Sequence, residues 1–238
     1  MSIDSRPEVE SRLSSVDVFY SQLKRRGRTV ATFDANIYFG LGNVMQCGLF
    51  PLLEGGKKQL IVSQDIPRGG TQWIANLSPE FHLIFEGPKW RVGREGDDMR
   101  IVDLDHDGVY EILVPITSFY GFSEWIPTGR TPLPTAVFKY HPRIEKYLPA
   151  NLLFEADLLS DIAARKEAIS GAVDPITQPT EILPIVLDYI FAGKEQEAWT
   201  FFEESYKLSD KQELKARIQA VLKGHPVYRF IYRKTLAH

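Results

Sequence analysis

A chain of 238 residues is long enough to bury a substantial hydrophobic core, as one large domain or two small ones. Its apolar fraction of 44% and charged fraction of 25% exclude a disordered, collagen-like or coiled-coil chain. A formal net charge of −3 excludes a global positive field, so nucleic acid is not an expected partner, and no apolar run reaches the roughly 18 residues of a membrane span.

The cysteine content and the first residues exclude further classes of protein. Cys47 is the single cysteine, so the chain cannot form an intramolecular disulfide or a thiolate metal site. The opening residues MSIDSRPEVE lack the apolar core of a signal peptide. Stability is therefore expected to come from packing and from a bound hard cation.

Residues 1–28 are predicted to form an N-terminal helix. Apolar residues recur at helical spacing between Ser5 and Gly27. They are Val9, Leu13, Val16, Tyr20 and Leu23. Basic residues cluster at the end of this segment, where the helix dipole favours positive charge, and Gly27 is suited to end the helix.

Residues 29–154 are predicted to form a β region. Short runs rich in Val, Ile, Phe, Tyr and Trp alternate with clusters of Gly, Pro and Asp, which is typical of an antiparallel meander. The predicted strands are Thr29–Phe33, Gln59–Gln64, Gln72–Leu77, His82–Glu86, Arg100–Leu104, Glu111–Ile116 and Ala136–Tyr140.

Residues 155–238 return to helical periodicity. Three helices are predicted after the loop from Gly171 to Pro179. The first ends at Gly193, the second spans Lys194 to Leu208, and the third ends at Gly224 before Pro226. Because the loops between them are short, antiparallel helical hairpins are expected.

An internal near-repeat with an offset of 52 residues links two parts of the β region. It aligns Phe50–Val62 with Val102–Val114 and Gly56 with Gly108. The first copy has Pro, Leu and Gly where the second has three aspartates, so only the second copy is expected to hold a metal. A period near 50 residues is that of a four-stranded propeller blade.

The second copy contains the residues that point to chemistry. Its loop has carboxylates at positions 1, 3, 5 and 9, and such a cluster of hard oxygen donors is repulsive unless a cation lies among them. The predicted ligands are the side chains of Asp103, Asp105, Asp107 and Glu111 and the carbonyl of Val109. Gly108 permits the sharp turn. An EF-hand is excluded because position 12 is Val114 and the flanking segments are β-like.

The pattern D-x-D-x-D-G-x-x-[DE], followed by an aliphatic strand, resembles the calcium loop of FG-GAP repeats, which occur in the integrin α-subunit propeller and in bacterial secreted proteins. The resemblance covers about Gly48 to Asn151 and implies Ca²⁺ bound by the five ligands above. A metal-free aspartate-rich turn is the alternative. A complete propeller needs at least four blades, more than residues 29–154 can supply. The predicted fold is therefore α+β, with one or two blade-like antiparallel sheets packed on an N-terminal helix and C-terminal helical hairpins.

The long connection from Thr117 to Pro134 is rich in proline and aromatic residues. Long loops on a rigid sheet often carry function. Tyr120, Trp125 and Arg130 are candidate contacts for a carbohydrate or protein ligand, and the alternative is that the aromatic residues fasten the loop to the core.

Catalytic motifs were not found: the sequence contains no G-x-S-x-G, H-E-x-x-H, P-loop or G-x-G-x-x-G. No catalytic residue is assigned. The favoured function is a non-enzymatic, calcium-stabilised binding or interaction module in an extracytoplasmic compartment, where calcium is plentiful. The alternatives are a hydrolase whose site is assembled from residues distant in sequence, and an intracellular scaffold built on the helical hairpins.

Overall fold

The computed structural model describes residues 2–6, 16–25, 28–38, 44–66, 69–93, 99–119 and 132–235, and before Cys47 it describes the backbone alone. Within these segments, three antiparallel sheets follow one another along the chain. A series of helices follows the last sheet. The architecture is α+β, as predicted.

The first sheet consists of β1 (Ser2–Arg6), β2 (Val16–Arg25) and β3 (Arg28–Tyr38), in that order. The predicted N-terminal helix is not confirmed, because strands cover both ends of it, while residues 7–15 lie outside the described part of the chain. The run V-D-V-F-Y that opens β2 is rich in β-branched and aromatic residues. β2 pairs with β3 along its whole length. This pairing stabilises the strand, and the spacing of apolar residues within β2 gives no indication of it.

The second sheet is a four-stranded meander. Its strands are β4 (Val44–Phe50), β5 (Gln59–Ile66), β6 (Gly69–Asn76) and β7 (His82–Glu86), each antiparallel to the next. The last three confirm predicted strands. Strand β4 was not predicted, because its sequence M-Q-C-G-L-F contains a glycine and lacks a clear alternation. A short helix, α1 (Gly87–Trp90), follows β7.

The third sheet repeats this arrangement. Its strands are β8 (Arg100–Val102), β9 (Glu111–Pro115), β10 (Thr135–His141) and β11 (Lys146–Pro149), again each antiparallel to the next. Three of these strands confirm predictions, and β11 is new. The second and third sheets are thus two four-stranded antiparallel meanders, and no sheet closes into a barrel within the described segments.

The helices after the sheets follow the predicted order. They are α2 (Glu155–Leu158), α3 (Ile162–Glu167), α4 (Thr177–Phe191), α5 (Glu195–Ser205), α6 (Lys211–Gly224) and α7 (Pro226–Thr235). Helices α4, α5 and α6 correspond to the three predicted helices. Helix α7 was not predicted, although proline suits the first position of a helix. Of the helices that the structure describes, none has the length and apolar character needed to span a membrane.

A continuous hydrophobic core joins the second and third sheets to the helices. Phe138 of β10 lies at its centre, with its ring centroid 5.0 Å from that of Phe85 in β7 and 5.5 Å from that of Trp90 in α1. Helices α4, α5 and α6 contribute fully buried residues to the same cluster, among them Leu187, Phe202 and Ile218. The third sheet, which contains the acidic loop, is therefore packed against the helices.

Candidate metal centre

The acidic loop connects β8 to β9 and is closed by its own aspartates. The two carboxylate oxygens of Asp103 accept hydrogen bonds from the backbone N–H groups of Asp107 and Gly108, each at 3.1 Å. Asp107 Oδ1 accepts a bond of 2.8 Å from the N–H of Val109. Gly108 has a φ of +82°, which glycine adopts without the strain of a Cβ atom. The local sequence therefore builds the tight turn by itself.

Glu111, the first residue of β9, is fully buried. Its Oε2 accepts a hydrogen bond of 2.8 Å from the backbone N–H of Leu104, which joins the start of the loop to its end. A buried carboxylate is costly unless it is paired and hydrogen-bonded. A cation on the other oxygen would offset this cost.

Lys139 of β10 supplies that cation. Its Nζ donates hydrogen bonds of 2.8 Å to Asp105 Oδ2, to Asp107 Oδ2 and to Glu111 Oε1. The ammonium group thus lies among three carboxylates contributed by one loop. It offsets part of the repulsion among the carboxylates, a role that the sequence analysis gave to a bound metal ion.

The pKa values of the groups reflect this pairing. The hydrogen bond from Lys139 lowers the pKa of Asp107, and the N–H of Val109 lowers it further. Burial lowers the pKa of Lys139, but the hydrogen bonds to Asp105, Asp107 and Glu111 outweigh burial, so the net pKa is raised above its usual value. The ammonium of Lys139 is consequently charged at neutral pH.

The structure brings together most of the predicted ligands. Carboxylate oxygens of Asp103, Asp105 and Glu111 lie within 4.8 Å of one another, a separation that a single ion can bridge. Asp107 does not belong to this triad, but its ion pair with Lys139 links it to Asp105 and Glu111. Val109 contributes its N–H to the loop, and its carbonyl as a ligand remains a prediction. His106 is exposed.

The near-repeat predicted from the sequence has a structural counterpart in the second sheet. Gln59 opens β5 as Glu111 opens β9, and Gln59 Oε1 accepts a bond of 2.8 Å from the N–H of Leu52. The pairing of Leu60 with Ala75 places Gln59 opposite Asn76. The pairing of Ile112 with Phe138 places Glu111 opposite Lys139. A neutral amide pair in one sheet therefore replaces the charged pair of the other.

Lys139 was missed in the sequence analysis. Its signal is a single charged residue within the otherwise apolar and aromatic run A-V-F-K-Y, on the strand that follows the acidic loop. The other candidate contacts, Tyr120, Trp125 and Arg130, lie outside the described residues. Their role in ligand binding remains a prediction from the sequence.

No protein-family model, curated protein or solved structure matches this chain. The resemblance to FG-GAP repeats therefore stays a proposal. The interpretation of the site depends on its own geometry and on the repeat within the chain.

Proposed function

We propose that the protein is a non-enzymatic binding or interaction module whose fold is stabilised by Ca²⁺ at the loop between β8 and β9. The observation behind this proposal is the convergence of the Asp103, Asp105 and Glu111 carboxylates, with Glu111 fully buried beneath the loop. The FG-GAP-like order of these residues supports the same ion.

The donor chemistry favours calcium over other metals. All the proposed side-chain ligands are carboxylates, which suit hard cations, whereas zinc and copper sites draw on histidine and cysteine. A loop of short turns adapts to the irregular geometry of Ca²⁺ more readily than to the near-ideal octahedron of Mg²⁺. Calcium is accordingly the proposed cofactor.

The proposed compartment follows from the ion, and the proposed partner follows from the sequence between β9 and β10. Calcium loops with weak affinity are filled where calcium is millimolar, so we place the protein outside the cytoplasm. The proposed partner is a protein or a carbohydrate, with the segment that contains Tyr120, Trp125 and Arg130 as its candidate contact. That part of the proposal has only the sequence as its support.

Thermal unfolding in excess chelator and in millimolar calcium, combined with calorimetric titration, tests the proposal. Calcium at a hundredfold excess over Kd stabilises the fold by about 2.7 kcal/mol. Asp105→Ala is expected to weaken binding. His106→Ala is the matched control, because His106 is exposed and lies next to Asp105 without a predicted role as ligand. Identical midpoints in both conditions, with no calorimetric signal, would show that the loop is a metal-free turn.

A further inference from the structure

We infer that Lys139 is a tethered cation that competes with a divalent ion for one set of carboxylate oxygens and thereby determines the calcium affinity of the loop. This inference rests on the proposed calcium site. It concerns Lys139, which the metal-site prediction did not include.

The competition follows from the atoms that the ammonium occupies. Asp105 Oδ2 and Glu111 Oε1 are each 2.8 Å from Nζ of Lys139, and both residues also belong to the triad that can hold an ion. Calcium needs its oxygen ligands at about 2.3–2.6 Å. A calcium ion held by the same carboxylates would lie close to the ammonium, and the two cations would repel each other strongly. We therefore expect calcium binding to be an exchange, in which the ammonium leaves the carboxylates.

The position of Lys139 in the sheet shows that this arrangement is specific to the acidic loop. Lys139 stands opposite Glu111, as Asn76 stands opposite Gln59 in the second sheet. Asn76 Oδ1 accepts a bond of 3.2 Å from Gln59 Nε2, so a neutral hydrogen bond of the opposite direction joins the same two positions in the second sheet. The chain thus contains both a charged and a neutral version of this cross-strand pair.

The displaced ammonium has space nearby. The side chain of Lys139 is 22% exposed and lines a cavity of about 270 Å³ between β10, β11 and α7. The ring of Phe154 lies 6.0 Å from Nζ and offers its face to a cation. We therefore expect the displaced ammonium to move into this cavity or towards the ring of Phe154.

Substitution of Lys139 separates competition from a purely structural role. Lys139→Asn copies the residue at the equivalent position of the second sheet, and Lys139→Met keeps the aliphatic stem without the charge. Both variants are expected to bind calcium at least about tenfold more tightly than the wild type, because fewer cations near the carboxylates raise the affinity. Lys139→Arg keeps the charge and is expected to bind as the wild type does.

Lys57→Met is the matched control. Lys57 is exposed on the corresponding loop of the second sheet, so its removal makes the same change in net charge. Its calcium Kd should stay within about a factor of two of the wild-type value. Titrations by competition with a chelator, started from the calcium-loaded protein, give Kd values even for a variant that is unstable without the ion.

The outcomes distinguish this inference from the proposed function. Unchanged affinity in both uncharged variants, beside clear binding by the wild type, would overturn the role of Lys139 and leave the calcium proposal intact. Binding by the variants alone would confirm the competition and overturn calcium binding by the natural chain. If neither the wild type nor the variants bind calcium, both proposals are wrong.

Discussion

Gln59 and Glu111 hold the same structural position in two successive sheets. Each is buried and opens a strand, and each accepts a 2.8 Å hydrogen bond from the N–H of the leucine seven residues earlier. Gln59 is neutral and Glu111 is charged, and their cross-strand partners, Asn76 and Lys139, differ in the same way. The pair of Glu111 and Lys139 is therefore the charged counterpart of a neutral pair at the same position of the second sheet.

This relationship predicts different effects for two substitutions at Glu111. Glu111→Gln keeps an acceptor for the N–H of Leu104, whereas Glu111→Ala leaves that donor without it. In chelator, the glutamine variant is expected to be more stable than the alanine variant by about 2 kcal/mol. Urea unfolding measures the difference, and both variants should lose calcium affinity. Equal stability would show that the Leu104 bond contributes nothing.

The reverse substitution in the second sheet provides the control. Gln59→Glu places a carboxylate in an equally buried position, but Asn76 offers it no positive charge. The variant is expected to be less stable than the wild type at pH 7 and to recover as the pH falls and the carboxylate becomes protonated. A neutral effect at pH 7 would mean that the buried position is more solvated than the structure indicates.

Phe138→Ala tests whether the second and third sheets share one core. Its ring is fully buried between Phe85 and Trp90, so truncation is expected to cost about 3–5 kcal/mol. Phe50→Ala is the matched control, because Phe50 is 51% exposed and should change stability by less than about 1 kcal/mol. Denaturant unfolding followed by fluorescence and by circular dichroism measures both. A loss confined to one of two separate transitions would contradict a shared core.

His225 predicts a pH dependence of stability. Its side chain is fully buried beside the ring of Phe191, and burial lowers its pKa from 6.5 to about 4. The unfolded chain therefore binds a proton between pH 6.5 and pH 4 that the folded protein does not. The free energy of unfolding accordingly decreases by up to about 3 kcal/mol as the pH falls from 6.5 to 4.

His225→Phe removes that contribution and keeps an aromatic ring in the position. Carboxylates titrate in both proteins, so the difference between their stabilities at pH 7 and pH 4 isolates the histidine. The wild type is expected to show the larger loss on acidification. Parallel pH profiles of the free energy of unfolding would contradict the lowered pKa.

Limited proteolysis is expected to cut first between Gly171 and Ile176. In this connection before α4, Val173 and Ile176 are 60% and 45% exposed. Protease sites concentrate in exposed connections because cleavage requires an extended, accessible backbone. Mass spectrometry of the first fragments identifies the cut. Early cleavage between Leu60 and Glu86, within the paired strands of the second sheet, would contradict this order.

The sequence by itself predicted what depends on local patterns. Strand β7 was predicted with its observed ends, and α4, α5 and α6 were predicted to within a few residues, because alternation and helical spacing extend over whole elements. The acidic loop and the offset that relates it to Gln59 were also visible. Both features can be read from the order of residues, without knowledge of which residues are in contact.

Only the tertiary structure decided which residues meet. Strands β1 and β2, taken for a helix in the sequence analysis, depend on cross-strand pairing, of β1 with β2 and of β2 with β3. Lys139 lies 28 residues beyond Glu111 and reaches the carboxylates only because the register of β9 and β10 sets it opposite. Cross-strand register depends on which residues of both strands face the core, and a long connection separates β9 from β10, so neither strand alone shows which residues stand opposite each other. The acidic loop was therefore predicted to bind a metal, and the fold shows that the ammonium group of Lys139 already lies among its carboxylates.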